Sequence, residues 1–431
     1  MPLSRYCKIY RKPEDQKQVM LFSTLTTAVA DVASEVLQDI EKDNLSKSEK
    51  KTLTDLGFLV KNHESEKRGL LRYIDDVNAE NNVFIAIVVL NLDCNLGCKY
   101  CYEGKRKGKH ALSADTAHDF ADFVESGILN NKDALNLVFY GGEPLLSVDT
   151  IIRISKSMRS IVKKQGIEFS FSFITNGTLL TPQVVKKLKP FGLRAASVTL
   201  DGPKEVHDAF RPFKTGKGSF DIIVKNIKNV SSLIDVHIGG NYTQDRYREF
   251  PRLLDYLIES GLTPDKISSI KFDPVFQESN EFAPPDFHDG CMSINEPWLV
   301  EAAIFLREEI LKRGFRTQLI GPVVCAVERP DNLVVNYDGA LYKCPGLVGR
   351  KNFCVGSVKT GIRDHRATHC LDNWKNDECL ACAYLPLCFG GCRYMKLLRD
   401  NDMQGLDCKK GFYDKTLEAF VRQDVTYAEQ G

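Results

Sequence analysis

Val83-Phe84-Ile85-Ala86-Ile87-Val88-Val89-Leu90-Asn91-Leu92 runs directly into Asp93-Cys94-Asn95-Leu96-Gly97-Cys98-Lys99-Tyr100-Cys101-Tyr102. The first ten residues are apolar and rich in β-branched side chains, the pattern of a buried strand. The second ten place three cysteines at C-x3-C-x2-C at the end of that strand. Three thiolates at this spacing can grip one face of a cubane iron–sulfur cluster and leave its fourth iron without a protein ligand. Two plainer readings compete. A zinc site usually takes four ligands from paired C-x2-C units, and three core cysteines would need no metal at all.

Beyond Leu92 the chain alternates between strand and helix. Strand-like runs lie at Val83–Leu92, Leu135–Tyr140, Glu168–Ile174, Ala195–Leu200, Val236–Asn241 and Ile267–Phe272. Helical patterns fall between them, at Ser113–Ser126, Thr150–Lys164 and Thr181–Lys189. Regular βα alternation predicts a parallel sheet with helices outside. Six units favour a partial (βα)6 TIM-like barrel over a closed one, with its site at the C-terminal ends of the strands. The fold class is therefore α/β.

Before residue 83 the chain has a separate character. Two β-rich pieces, Arg5–Arg11 and Gln18–Ser23, precede an apolar face of Val29, Val32, Val36, Leu37 and Ile40, read as one helix. Ser46-Lys47-Ser48-Glu49 is a capping box opening a second helix, and Phe58-Leu59-Val60 could close a small sheet. This is a winged-helix-like module. No basic stripe with interleaved aromatics accompanies it, which argues against DNA. Residues 65–82 are charged and polar and read as a partly helical linker.

Composition excludes several functions. Net charge is +1, so nothing draws the chain towards nucleic acid or an anionic membrane. No run is long enough to span a bilayer, and residues 1–10 lack a secretory hydrophobic core. This favours a cytoplasmic setting, where thiols stay reduced. Of the 14 cysteines, only Cys7 precedes Cys94 and ten lie from Cys291 onward, so clustered metal ligands are favoured over disulfides.

The second strand ends in Tyr140-Gly141-Gly142-Glu143-Pro144. Its glycines permit close backbone approach to a ligand. C-x3-C-x2-C followed one strand later by this turn resembles the radical S-adenosylmethionine (SAM) superfamily. The resemblance implies that Cys94, Cys98 and Cys101 hold a [4Fe–4S] cluster and that its open iron chelates SAM. It implies cofactor-binding roles for Tyr100, Gly141, Gly142, Glu143 and Pro144, the turn holding the methionyl ammonium. Thr175-Asn176-Gly177, the run from Ser197 to Pro203, and His207-Asp208-Ala209-Phe210-Arg211 come after the next strands. By the same resemblance Asn176, Ser197 and Arg211 are candidates for SAM contacts. Against this, Asn176-Gly177 could only turn the chain, Arg211 could only pair with Asp208, and His207 reads as structural.

The C-terminal third carries Cys325, then Cys344, then Cys379-x2-Cys382-x5-Cys388-x3-Cys392, and finally Cys408. The order resembles the SPASM extension of radical SAM peptide maturases, which binds two auxiliary [4Fe–4S] clusters. Carried over, the first takes Cys325, Cys344 and Cys392, and the second Cys379, Cys382, Cys388 and Cys408. The first is then either open or completed by Cys354, Cys291 or Cys370, and an open site is favoured. The N-terminal module resembles the PqqD-like element that binds a precursor's leader peptide. These resemblances divide the chain into residues 1–64 (leader recognition), 65–82 (linker), 83–315 (barrel) and 316–431 (auxiliary clusters).

Together they imply an oxidoreductase that cleaves SAM reductively and modifies a ribosomally synthesised, Cys-containing precursor peptide. A flavodoxin- or ferredoxin-type reductant is implied too. The segment from Cys344 to Gly349, with Phe353 and Gly356, resembles ranthipeptide and sactipeptide thioether synthases. Carbon–carbon crosslinking and epimerisation use the same cofactors. Formylglycine formation is disfavoured, because Pro345 stands where anaerobic sulfatase maturases have an aspartate. A non-catalytic iron–sulfur or peptide-binding scaffold would not need the open-iron motif.

Overall fold

The computed structural model describes every residue except 12–14, 16, 279–283, 285 and 428–431. Strands β1 (Cys7–Arg11), β2 (Gln18–Ser23) and β3 (Val29–Ala33) form an antiparallel sheet with β2 in the centre. Helices α1 (Ser34–Glu41), α2 (Lys47–Asp55) and α3 (His63–Glu80) come next. The Ser46 capping box forms as expected: its side chain accepts from Glu49 N, and the Glu49 carboxylate accepts from Ser46 N. Instead of a closing strand, Leu59 makes one antiparallel bridge to Leu3.

Two expectations for this region are corrected. Residues 29–33 are a strand, not the first turns of a helix. Val29 and Val32 suit either period, and pairing with β2 from Phe22↔Val29 to Gln18↔Ala33 decides between them. Residues 65–82 are not a linker: α3 crosses the expected boundary and buries Leu70 and Ile74 against Trp374, Leu380, Leu385 and Phe389. These two residues lie four apart on one helical face, too narrow a stripe to stand out among so many charges.

The barrel strands are β4 (Val83–Asn91), β5 (Ala134–Gly141), β6 (Glu168–Thr175), β7 (Leu193–Thr199), β8 (Asp235–Tyr242) and β9 (Ser269–Pro274). All pair in parallel in chain order. The intervening helices are α4 (Ala114–Phe123), α5 (Val148–Gln165), α6 (Pro182–Leu188), α7 (Lys204–Phe210), α8 (Phe220–Val230) and α9 (Phe250–Glu259). Burial alternates along the strands: Leu135, Leu137 and Phe139 of β5 are covered by helices, whereas Asn136, Val138 and Tyr140 are only half-buried. The half-buried set faces the lumen, which leaves room there for a ligand.

β9 pairs only with β8, so the sheet does not close into a full barrel. It grows at its other edge instead. After α10 (Pro297–Leu311) comes β10 (Asn332–Val335), which lies parallel to β4 as a seventh parallel strand. β11 (Ala340–Tyr342), β12 (Gly356–Ser357) and β13 (Gly361–Ile362) extend it antiparallel. The cysteine-rich region is thus hydrogen-bonded to the strand that carries the C-x3-C-x2-C loop. Its helices are α11 (Asp377–Leu380), α12 (Leu385–Cys388), α13 (Arg393–Asp400) and α14 (Lys410–Tyr427).

The N-terminal sheet docks on this region. Met20 and Phe22 pack against Tyr384, Leu387, Leu417 and Val421. Burying a side chain of that size contributes roughly 1.5–3 kcal/mol. Tyr6 donates its hydroxyl to Leu380 O at 3.1 Å, and Thr24 Oγ1 donates to Ala383 O at 2.7 Å. Among the described residues no helix is long and apolar enough to cross a membrane.

Candidate functional site

The cysteine loop is held on two sides by backbone. On one side the glycine turn lies across it: Gly142 N donates to Asn91 O at 3.0 Å and Glu143 N to Asp93 O at 2.8 Å. Gly141 has φ +129°, and an added Cβ there would stand 2.1 Å from Asn91 O. At Gly142 it would stand 2.1 Å from Asp93 O. Only glycine permits this approach. On the other side, residues 210–214 run antiparallel to residues 95–99. Gly97 N donates to Pro212 O (2.8 Å), Lys99 N to Phe210 O (3.0 Å) and Lys214 N to Asn95 O (3.0 Å).

Cys94 is buried, and Cys98 and Cys101 are half-buried. Burial pushes the Cys98 thiol up to about 11; Arg211 and Lys107 oppose this, and Cys101 and Cys94 reinforce it. Burial disfavours the Lys107 ammonium, but Cys101, Cys98 and Cys94 all act on it and raise its pKa overall. All three cysteines thus lie close enough to act on the same lysine. Among the described residues no three His, Cys, Asp or Glu side chains converge on a single metal ion.

Glu143 is fully buried. One carboxylate oxygen accepts from Leu145 N (3.0 Å) and Thr175 Oγ1 (2.7 Å), the other from Asn176 N (2.8 Å). Burial raises its pKa, and these three donors lower it. The side chain braces the β5 loop to the end of β6, so it is less free to meet an ammonium than the motif alone suggests. Asn176 turns back to the cysteine loop, with Nδ2 2.8 Å from Asn95 Oδ1 and 3.7 Å from Cys94 Sγ. Ser197 lies on the lumen face of β7, between buried Ala196 and Val198.

Arg211 does not pair with Asp208. It forms an ion pair with Asp201 at 3.7 Å and donates to the Tyr100 hydroxyl at 2.6 Å. That hydroxyl donates in turn to Asp201, and Asn241 Nδ2 donates to it at 3.1 Å. Arg211 Nε is buried without a hydrogen-bond partner. An orphaned guanidinium donor beside the cysteine loop suits a carboxylate ligand. His207 is structural: its ring accepts from Asp201 N (3.1 Å) and meets Ser219 Oγ at 3.0 Å. Burial holds its pKa well below the usual imidazole value, with Arg211 adding to the effect. Asp201 and Asn241 were missed as functional residues, because they acquire meaning only when β7 and β8 bring them to Tyr100.

The distant cysteines separate into two groups. Burial raises the Cys344 thiol to about 12, reinforced by Cys392 and Cys325. Burial also raises Cys388 to about 12; Lys409 lowers it, and Cys382 and Cys379 raise it further. Burial raises Cys379 and Cys382 as well, and Cys408 adds to both. Of the three spare cysteines, Cys291 is 1% exposed in the barrel core. The Cys354 thiol donates to Gly356 O at 3.1 Å, and the Cys370 thiol lies 3.8 Å from Ala367 O.

Two buried carboxylates frame the three-cysteine group. Glu328, just after Cys325, pairs with Arg393, just after Cys392, at 2.6 Å. Glu278, beyond β9, accepts from the Tyr394 hydroxyl and from Arg350 Nη2, the latter at 2.9 Å. Neither brace was foreseen. A cavity of about 790 Å³ runs from Tyr100, Tyr102 and Tyr140 at the barrel end to Pro345, Gly346, Cys392 and Tyr394 at the auxiliary end.

The architecture is an open α/β barrel whose cysteine loop shares a cavity with a cysteine-rich C-terminal region. Residues 88–257 match the Radical SAM superfamily. The radical SAM cyclopropyl synthase TigE of Paramaledivibacter caminithermalis is 23% identical, over 90% of this chain and 89% of its own. A structure of anSMEcpe with bound AdoMet superposes with a TM-score of 0.63 at 17% identity, covering 79% of this chain and 98% of that one. A structure of Streptococcus suis SuiB bound to the precursor peptide SuiA gives a TM-score of 0.52 at 14% identity, covering 94% and 98%. These superpositions establish the shared fold.

Proposed function

We propose that this chain is a radical SAM peptide maturase that forms thioether bonds between a cysteine sulfur and a carbon of the same precursor peptide. The observation that carries the reading is the single cavity joining the Tyr100–Tyr102 end of the cysteine loop to Cys392. Cys94, Cys98 and Cys101 fit a [4Fe–4S] cluster, and the glycine turn, Asn176, Ser197 and Arg211 fit SAM. A cluster with SAM on its open iron would supply a 5′-deoxyadenosyl radical. The protein's own residues position and shield. The turn would seat the SAM main chain, the buried Arg211 Nε would supply a donor for its carboxylate, and the aromatic walls would exclude water.

Cys325, Cys344 and Cys392 would hold one auxiliary [4Fe–4S] cluster with an open position for the substrate thiolate. Cys379, Cys382, Cys388 and Cys408 would hold a second, fully ligated one, reached by a flavodoxin- or ferredoxin-type reductant. β3 pairs on one side only, so its free edge can accept a leader peptide as an added strand. This reading casts the N-terminal sheet as the PqqD-like element.

The test uses a cysteine-containing precursor peptide, to be sought as a short cysteine-rich reading frame beside the gene. Incubation with the reconstituted enzyme, SAM and reductant should remove a pair of hydrogen atoms per crosslink and protect the cysteines from alkylation. The kinship with TigE supports carbon–carbon bond formation as a second reading. It predicts the same mass loss with thiols still open to alkylation. Separately, Gly142→Ala drives a methyl group into Asp93 O. SAM affinity, read by equilibrium dialysis, should fall by an order of magnitude or more, about 1.4 kcal/mol per tenfold; unchanged affinity would contradict the seat assigned to the turn.

A further inference from the structure

The cavity's wall says what kind of peptide segment fits it, an inference that rests on the maturase reading. Most of its polar groups are already committed within the protein. Tyr102 and Tyr140 bond each other through their hydroxyls, and Tyr413 donates to Leu387 O at 3.0 Å. The charged groups are paired as well. Lys271 meets Asp273 at 2.9 Å, and Asp407 meets Arg399 at 2.8 Å while accepting from Cys392 N at 3.2 Å. Arg307 forms an ion pair with Asp424 and donates to Gln423 Oε1 at 3.1 Å.

Lys409 differs. It lines the same cavity, is half-buried, and its ammonium has no ion-pair or hydrogen-bond partner among the described residues. It stands at the auxiliary end, next to Cys408 in the chain, and lines the cavity together with Cys392. An aromatic and apolar wall whose polar groups are mostly committed disfavours charge, because a charged side chain entering it would lose water without gaining an ionic partner. One uncommitted cation in that wall reverses the preference for a single anion.

We propose that the cavity selects a peptide segment of aromatic, apolar and small residues that carries one acidic group beside the modified cysteine, and that Lys409 reads this group. A segment with lysine or arginine beside the cysteine is rejected.

The test is binding to the reconstituted holoenzyme in the presence of SAM, monitored by fluorescence anisotropy. The probes are fluorescein-labelled heptapeptides of Gly, Ala and Tyr around one Cys. A single Asp is walked through the flanking positions, and each peptide has an Asn and a Lys counterpart. At least one Asp peptide should bind on the order of tenfold more tightly than its Lys counterpart, with the advantage shrinking as salt is raised. In Lys409→Met the advantage should vanish, and in Lys409→Glu the Lys counterpart should become the tighter ligand. Equal binding of Asp, Asn and Lys peptides at every position would overturn the proposal, as would a preference that survives both substitutions; the ammonium would then serve only the neighbouring thiolates. The wild-type peptide series needs no variant to fold. Failure of the precursor modification assay would strike the maturase reading and leave this charge preference separately measurable.

Discussion

A Cys98→Ala variant, reconstituted anaerobically with iron and sulfide, forms no 5′-deoxyadenosine above the enzyme-free background when given SAM and a strong reductant. Cys98 sits midway along the loop, between the glycine turn and the antiparallel strap of residues 210–214. Its neighbours Gly97 and Lys99 both donate backbone hydrogen bonds to that strap, so the loop should keep its shape without the thiol. The loss is therefore chemical: two thiolates remain where three are needed to hold a cubane and leave one iron free. Iron analysis and the electron paramagnetic resonance spectrum of the reduced protein distinguish this from unfolding, since the cysteines of the C-terminal region are untouched. Full turnover by the variant would remove the basis for assigning the loop.

The second large effect is one of stability. Arg393→Met leaves the Glu328 carboxylate buried without its cation. Both side chains are nearly inaccessible, 1% and 4% exposed, and the contact is 2.6 Å. Burial raises the Glu328 pKa, and Arg393 is the main group opposing that rise. Breaking a buried pair from one side costs about 3–5 kcal/mol, because the remaining charge must be protonated or hydrated. The pair ties the Cys325 segment to the Cys392 segment, so the variant should unfold at lower denaturant and bind less iron. Glu328→Gln combined with Arg393→Met removes both charges and should recover part of the stability. A single Arg393→Met variant of wild-type stability would show that the pair is not a strut.

Much of the barrel was legible because its signals are local. Each strand from β4 to β9 is an apolar or alternating run of its own, and each motif comes within a few residues of its strand's end. The Ser46 capping box was readable for the same reason. The elements that escaped depend on partners distant in the chain. Asn332–Val335 is too short to announce itself and becomes a strand by pairing with Ile85–Val88. α3 buries only Leu70 and Ile74, and the residues they pack on lie about three hundred positions later. The Tyr100–Asp201–Arg211–Asn241 group joins four segments, and none of its members is distinctive alone. Glu143 was legible as a residue of the site, but its role as a brace required Thr175 and Asn176 to be seen beside it.

After anaerobic reconstitution of the whole chain with iron and sulfide, addition of SAM and dithionite should give 5′-deoxyadenosine that accumulates with time and requires Cys94, Cys98 and Cys101. Iron-loaded protein that forms none above background would contradict the radical SAM reading.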